Sequence, residues 1–223
     1  MNLVVVRILC LVIGYGFGLF QTAYIYGRMH GIDIREHGSG NSGTTNMMRT
    51  LGTKAGLITL LGDVLKVIIA VILTHFLFLN VASDMLPLLK VYTGLGAVLG
   101  HNYPFYLNFK GGKGIAATAG MILSFDPWVV LCEVLLFFPT FFITHYVSLG
   151  SILINIGLVV EIVVLGQMGY FESRYGMNNA YLPEMYVVII LLSAMAIYKH
   201  RENITRLISG NERKTYLTHK SDS

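Results

Sequence analysis

Six blocks of apolar sequence, each close to the length of a bilayer crossing, constrain this chain more than any other feature. They run 3–26, 57–79, 88–106, 128–145, 149–168 and 182–198. A helix of about 20 mostly apolar residues, each rising about 1.5 Å, traverses a hydrocarbon core about 30 Å thick. A seventh block, 115–125, is too short to span unless it tilts or extends into the preceding loop. The first block has no basic start and no small-residue cleavage site, and it runs too long for a signal peptide, so it reads as a retained helix. With 54% apolar residues, 13% charged residues and a mean hydropathy of +0.64, the chain is not a disordered segment, a nucleic-acid binder or a disulfide-stapled module. Cys10 and Cys132 sit inside apolar runs, which argues against a disulfide framework or a zinc site.

The basic residues decide whether the short block crosses. If it does, four polar segments fall on one side: 27–56, 107–114, the 146–148 turn and the tail from Lys199. That side carries Arg28, Arg35, Arg49, Lys54, Lys110, Lys113, Lys199, Arg201, Arg206, Arg213, Lys214 and Lys220. The opposite side carries Arg174, while Arg7, Lys66 and Lys90 lie inside helical blocks. Such a bias marks the basic side as cytoplasmic. Without the crossing, the basic 107–114 loop and the basic tail would lie on opposite sides. The expected fold is therefore all-α, a polytopic integral membrane bundle of seven transmembrane helices. Its N-terminus is outside, its C-terminus is cytoplasmic, and residues 1–223 form one membrane-embedded domain.

The chemistry-bearing residues lie in those four polar segments. Residues 38–49 read GSGNSGTTNMMR. Gly38, Gly40 and Gly43 are expected to turn the backbone with positive φ and gather N–H groups round one point. Ser39, Asn41, Ser42, Thr44, Thr45 and Asn46 add short polar groups, and a helix starting near Met47 would aim its N-terminus at the bound group. Arg49 offers a planar fork for phosphate oxygens. A flexible Gly/Ser linker is the plainer reading, but it leaves Arg49 and two Asn unexplained.

Residues 100–114 read GHNYPFYLNFKGGKG. Here Lys110, Gly111, Gly112, Lys113 and Gly114 combine backbone N–H groups with ammonium charge, as an anion site requires. The Walker pattern is broken at Leu107 and Gly114, so nucleotide hydrolysis loses its support. An interfacial anchor with His101, Tyr103 and Tyr106 as an aromatic belt is the competing reading. In HYVSLGS, Ser148 and Ser151 stand one helical turn apart, and alone they read as helix caps. In KHRENITRLISGNE, His200 and Asn203 share a helix face, as an ordinary juxtamembrane helix would also allow. Within the second apolar block, Asp63 and Lys66 are expected to pair with each other and face the bundle interior, supporting structure.

Taken in order, GSGNSGTTNMMRTLG, GHNYPFYLNFKGGKGIAAT, VSLGS and HRENITRLISGNE resemble the bacterial acyl-phosphate-dependent glycerol-3-phosphate acyltransferase family. The resemblance runs from the first helix to Glu212. Tyr106 and Leu107 are its one departure, and 213–223 lies outside the pattern. It implies transfer of a fatty acyl group from acyl phosphate to the 1-hydroxyl of glycerol 3-phosphate, giving lysophosphatidic acid and inorganic phosphate. This is the first acylation step of phospholipid synthesis.

By residue chemistry, Ser39, Asn41, Gly43, Thr45, Asn46 and Arg49 form the first phosphate site, with Gly40 among them. Gly111, Gly112, Lys113 and Gly114 form the second, which the family associates with glycerol phosphate. Ser39, Arg49, His200 and Asn203 are the catalytic candidates; Lys110, Ser148 and Ser151 join the substrate contacts. His200, with an ordinary pKa of about 6.5, or a substrate phosphate oxygen takes the hydroxyl proton. Glu212 is expected to hold the last helix by pairing with a nearby Arg. The partners implied are the two substrates and the bilayer, with transient contact to the enzyme that makes acyl phosphate allowed. No nucleic acid, cofactor or metal is implied.

No His in the chain has Asp five positions on, so the thioester-dependent His-x4-Asp acyltransferases do not match, and the five Asp are too scattered for a divalent-metal site. Two rivals remain. A small transporter of phosphate or a phosphorylated metabolite would need polar or broken helices near the midplane and groups reachable from both sides. The outer surface offers little beyond Asp84, Asp126 and the 169–182 loop. A structural membrane subunit leaves Arg49, Lys113 and His200 without a role.

Overall fold

A computed structural model of the protein describes residues 2–216; Lys220 of the basic tail lies outside them. The described residues form helices joined by turns, in the order α1 (Leu3–Gly18), α2 (Thr22–Met29), α3 (Thr44–Leu51), α4 (Thr53–Phe78), α5 (Leu86–Asn102), α6 (Ile115–Leu123), α7 (Pro127–Thr144), α8 (Val147–Gln167), α9 (Tyr170–Tyr175), α10 (Leu182–Lys199) and α11 (Arg201–Ile208). Five stretches are long and apolar enough to cross a membrane: Leu3–Met29, Thr53–Phe78, Pro127–Thr144, Val147–Gln167 and Asn179–Lys199. At 17 and 9 residues, α5 and α6 are shorter. α5 stops before the expected end of its block because Pro104 follows and disfavours helix at Tyr103.

The first apolar block is not one helix. It breaks between Gly18 and Thr22, which would strand carbonyl groups in a setting where every backbone polar group needs a partner. Lys66 and Gln21 supply the partners. The Lys66 ammonium donates to the Phe20 carbonyl at 2.6 Å and reaches the Gly18 carbonyl at 3.4 Å. The Gln21 amide donates to the Gly18, Gly100 and His101 carbonyls at 3.1–3.3 Å. Asp63 pairs with Lys66 at 2.8 Å and accepts from the Thr22 hydroxyl at 3.0 Å, on the far side of the break. The expected interior pair is present, and it secures a helix break that periodicity could not reveal.

α5 is the central element, with Leu88, Leu89, Val91, Ala97 and Val98 fully buried. It meets α1 backbone to backbone. A methyl group on Gly14 would stand 2.0 Å from the Thr93 carbonyl oxygen, and one on Gly18 2.2 Å from that of Ala97. From the other side, methyl groups on Gly96 and Gly100 would lie 2.3 Å from the Leu11 and Tyr15 oxygens. Each helix thus presents Gly-xxx-Gly to the other, the pattern that lets helices pack closely in lipid. At the end of the bundle remote from the polar loops, Arg7 of α1 donates to Glu184 of α10 at 2.7 Å, and Tyr92 of α5 donates to the same carboxylate at 2.6 Å.

The shortness of α6 has a local cause. The chain after α5 doubles back, so that Gly111 and Gly112 N–H groups donate to the Asn102 and His101 carbonyls at 3.2 and 3.1 Å. α6 therefore begins beside the last turn of α5 rather than beyond it. Its far end leads to Asp126, which caps α7 and accepts from Tyr170 and Tyr175 on the segment after α8.

The α1–α5 contact predicts a sharp contrast between glycines. Gly96→Ala forces the helices apart and should cost about 1–3 kcal/mol, read as a lower thermal unfolding midpoint in detergent. Gly16, with nothing within 4 Å of its added methyl, should accept Ala without loss. Equal behaviour of the two variants would refute the packing account.

Candidate active site

The first polar segment folds round one side chain. Asn46, 2% exposed, accepts from the Ser39 N–H at 2.9 Å through Oδ1 and donates through Nδ2 to the Ile34 and His37 carbonyls at 3.2 and 2.9 Å. Its amide is thus engaged by the loop itself, and Asn46 shapes the site from behind instead of facing a ligand. Gly38 and Gly40 take the expected positive φ, +61° and +69°. Gly43 does not. It is extended at φ −141° as the N-cap of α3, a position that needs no left-handed backbone. Ser39 and Gly40 are exposed, and Asn41 and Thr45 are partly so. At the α3 N-terminus the Thr44 and Thr45 N–H groups have no backbone acceptor among the described residues, and the Ser42 and Thr44 hydroxyls are buried without partners. The end of a helix with open N–H groups is a place for an anion.

The second segment differs from the simple glycine cradle. Because the Gly111 and Gly112 N–H groups already bond to the end of α5, they are not open to a ligand. Their lack of side chain serves packing: methyl groups there would lie 2.0 Å from the His101 carbonyl oxygen and 2.1 Å from its Nε2. Gly114, at φ +84°, starts α6, and Lys113 extends from the turn to donate to Asn203 Oδ1. Lys110 is exposed, and its side chain makes no hydrogen bond among the described residues.

The third and fourth segments meet at Glu212. Its Oε1 accepts from the Ser148 hydroxyl at 2.9 Å and from Asn203 Nδ2 at 2.7 Å, while Oε2 accepts from Arg206 Nε at 2.7 Å. Through Asn203 the network reaches Lys113, so three polar segments far apart in sequence are joined by one carboxylate. The expected pairing of Glu212 with an Arg is present, and the Arg is Arg206. Neither Ser148 nor Ser151 caps α8, whose N-cap is Tyr146; the Ser151 hydroxyl donates within its own helix, to the Val147 carbonyl at 2.8 Å. Arg49 approaches from α3 and donates through Nη2 to Thr215 Oγ1 at 2.9 Å and to the Arg213 carbonyl at 3.3 Å. Arg206 and Thr215 were not singled out from sequence. Arg206, three residues from Asn203 on the same helix, carried a usable signal; Thr215 carried none. A separate apolar groove of about 690 Å³ runs between α1 and α4, lined by Val12, Gly16, Phe20, Gly62, Leu65 and Lys66 among others.

Residues 8–210 match the family model described as glycerol-3-phosphate acyltransferase. The chain belongs to that family. A glycerol-3-phosphate acyltransferase of Clostridioides difficile (strain 630) is 40% identical over 93% of this chain and 94% of its own length. That of Bacillus cytotoxicus is 40% identical over 95% and 96%. The crystal structure of PlsY (YgiH), an integral membrane glycerol 3-phosphate acyltransferase in its glycerol 3-phosphate form, superposes with a TM-score of 0.78 at 32% identity, covering 94% of this chain and 96% of that one. Its lysophosphatidic acid form gives 0.75 at 31% identity, covering 95% and 96%.

Charge in this acyltransferase site is unbalanced. Burial pushes the Glu212 carboxyl up, but hydrogen bonds from Asn203, Arg206 and Ser148 outweigh it and hold its pKa below the ordinary value. Burial lowers Lys113, as does Arg206; desolvation and the nearby Arg213 lower Arg49. His200, 4% exposed, is pushed down to about 4 by burial, with Lys113 adding repulsion against the upward pull of its bond to Ala196. That bond fixes the tautomer: Nδ1 lies 2.8 Å from the Ala196 carbonyl, which only accepts, so Nδ1 carries the proton and Nε2 presents a lone pair.

A pH signature follows from His200. In the unfolded chain it takes its proton near the ordinary 6.5, in the folded protein only near 4. Its contribution to stability is therefore whole above pH 6.5 and is lost as pH falls towards 4. The unfolding midpoint in detergent should drop less between pH 6.5 and 4.5 for His200→Gln than for the unaltered protein. Identical pH slopes would show that His200 is not held neutral.

Proposed function

We propose that this family member transfers a fatty acyl group from acyl phosphate to the 1-hydroxyl of glycerol 3-phosphate at the cytoplasmic face of the cell membrane. The observation that carries the reading is the single network in which Glu212 joins Ser148, Asn203 and, through Asn203, Lys113. Arg49 and His200 flank it with a cation and a lone pair.

The hydroxyl oxygen attacks the acyl carbon, the carbon–oxygen bond to phosphate breaks, and phosphate leaves. Arg49 and the α3 N-terminus hold one phosphate; Lys113 and the α6 N-terminus hold the other. Ser39 closes the first site from the loop and Asn203 fixes Lys113. His200 Nε2 accepts the hydrogen bond of the attacking hydroxyl and orients it. With its pKa pushed down to about 4, the imidazole does not take the hydroxyl proton, which passes to the departing phosphate, the stronger base. Ester, inorganic phosphate and charge then balance with no cofactor. The groove between α1 and α4 receives the acyl chain, a role consistent with its apolar lining.

Purified protein given acyl phosphate and glycerol 3-phosphate should release equimolar phosphate and lysophosphatidic acid. Absence of product, equal turnover with acyl-CoA, or uptake of glycerol 3-phosphate into proteoliposomes without acylation would each overturn the proposal. Arg49→Ala should lower turnover about 100-fold or more while leaving the unfolding midpoint near its starting value.

The topology belongs to the same proposal: one membrane-embedded domain of seven spans, N-terminus outside and C-terminus cytoplasmic. The contact between Lys113 and Asn203 supports it, because it puts the loop before α6 and the helix after α10 at one end of the bundle. With Cys10 and Cys132 replaced by Ala, cysteines introduced at Lys110 and Asn211 should label only from the cytoplasm and one at Ser173 only from outside. Labelling of positions 110 and 211 from opposite sides would eliminate the seven-span arrangement.

A further inference from the structure

The segment after Glu212 belongs to no motif, yet it supplies every side-chain hydrogen bond that Arg49 makes among the described residues. Both bonds leave from one corner of the guanidinium, Nη2, and end on Thr215 Oγ1 and the Arg213 carbonyl. The segment is itself fastened. Thr215, 6% exposed, donates its N–H to the His145 carbonyl at 2.9 Å, in the turn between α7 and α8. The Tyr216 ring lies 4.8 Å from the His145 ring, and the Lys214 ammonium sits 5.8 Å from the centre of the Tyr146 ring. Arg49 has no carboxylate within 4.0 Å among the described residues; Arg213 and Arg206 repel it and Glu212 attracts it from farther off. An unrestrained arginine among like charges would spread over many rotamers and turn to water.

We propose that Thr215 is a positioning residue for Arg49: the strap 213–216 grips the guanidinium by Nη2 and fixes its plane, leaving the Nε–H and Nη1–H groups to donate singly to substrate phosphate oxygens. The inference rests on the reading of Arg49 as a phosphate ligand and adds the device that orients it. Restraining one such side chain before binding removes an ordering cost that would otherwise weaken affinity by about two- to tenfold. The motif-less tail thereby becomes part of the site.

Thr215→Val keeps the shape and removes the acceptor oxygen; Thr215→Ser keeps the oxygen. In the purified full-length protein, Thr215→Val should raise KM for acyl phosphate, and Ki for inorganic phosphate as product inhibitor, by about two- to tenfold. Thr215→Ser should stay near the unaltered values, and both should unfold at nearly the same temperature. In an Arg49→Lys background, which lacks the fork, Thr215→Val should change Ki no further. Unchanged constants in Thr215→Val, equal impairment in Thr215→Ser, or an additive effect with Arg49→Lys would overturn the assignment. An unaltered protein that transfers no acyl group would defeat the proposed function instead, so the two failures are distinct.

Discussion

The close approach of α1 and α5 is the constraint from which the site's placement follows. In lipid, apolar surface gives helices little reason to prefer one another, so shape must hold them, and four glycines bring the two backbones into contact. That contact continues to Gly18 and Gly100, at the ends nearest the polar loops. α1 cannot run on straight beside it, because the carbonyls of Gly100 and His101 lie where Gln21 reaches them. The break, the buried Asp63–Lys66 pair and the turn that starts α6 are three consequences at one level of the bundle. His101 ties them together: its Nδ1 is 3.1 Å from the Lys66 ammonium, and Gly112 packs on its ring.

Electrostatics then decide what the site will hold. Arg49, Lys113, Arg206 and Arg213 gather around Glu212, with Glu202 a further counter-charge for Lys113, so the site carries a surplus of positive charge held together by hydrogen bonds. Removing charges from water is costly unless counter-charge arrives. Anionic phosphate groups supply it. Glu212 cannot neutralise the cluster; its three hydrogen bonds make it a hinge pin for Ser148, Asn203 and Arg206 rather than a counter-ion for the whole.

How much of this could be read from the amino-acid sequence varies with the range of the physics involved. Helical blocks, the buried Asp63–Lys66 pair and the positive φ of Gly38 and Gly40 depend on local rules, and all were expected. The break at 19–21 was not, because its compensation comes from Lys66, some 46 positions away. The pattern at Gly111 and Gly112 suggests ligand-facing glycines, whereas their N–H groups and their missing side chains both serve packing on α5. Glycine-rich sequence announces close approach of backbone without saying to what. Asn46 shows the same ambiguity: an amide suited to phosphate is equally suited to three loop groups, and only the fold chooses. Glu212 was expected to find an arginine, but its simultaneous hold on Ser148 and Asn203 needs α8, α11 and the tail in place together.

The identity of the proton acceptor is where burial changes the chemistry most. From residue type alone, His200 and a phosphate oxygen compete evenly for the proton. In the fold, His200 is enclosed, its Nδ1–H is fixed on Ala196, and Lys113 stands nearby, so the imidazolium is disfavoured on two counts. A group so reluctant to hold a proton is a poor terminal base but a good fixed acceptor. It can align a hydroxyl without drawing the proton away until the bond to phosphate begins to break. In the proposed reaction the leaving phosphate gains basicity as that bond breaks, so the proton moves where charge is accumulating.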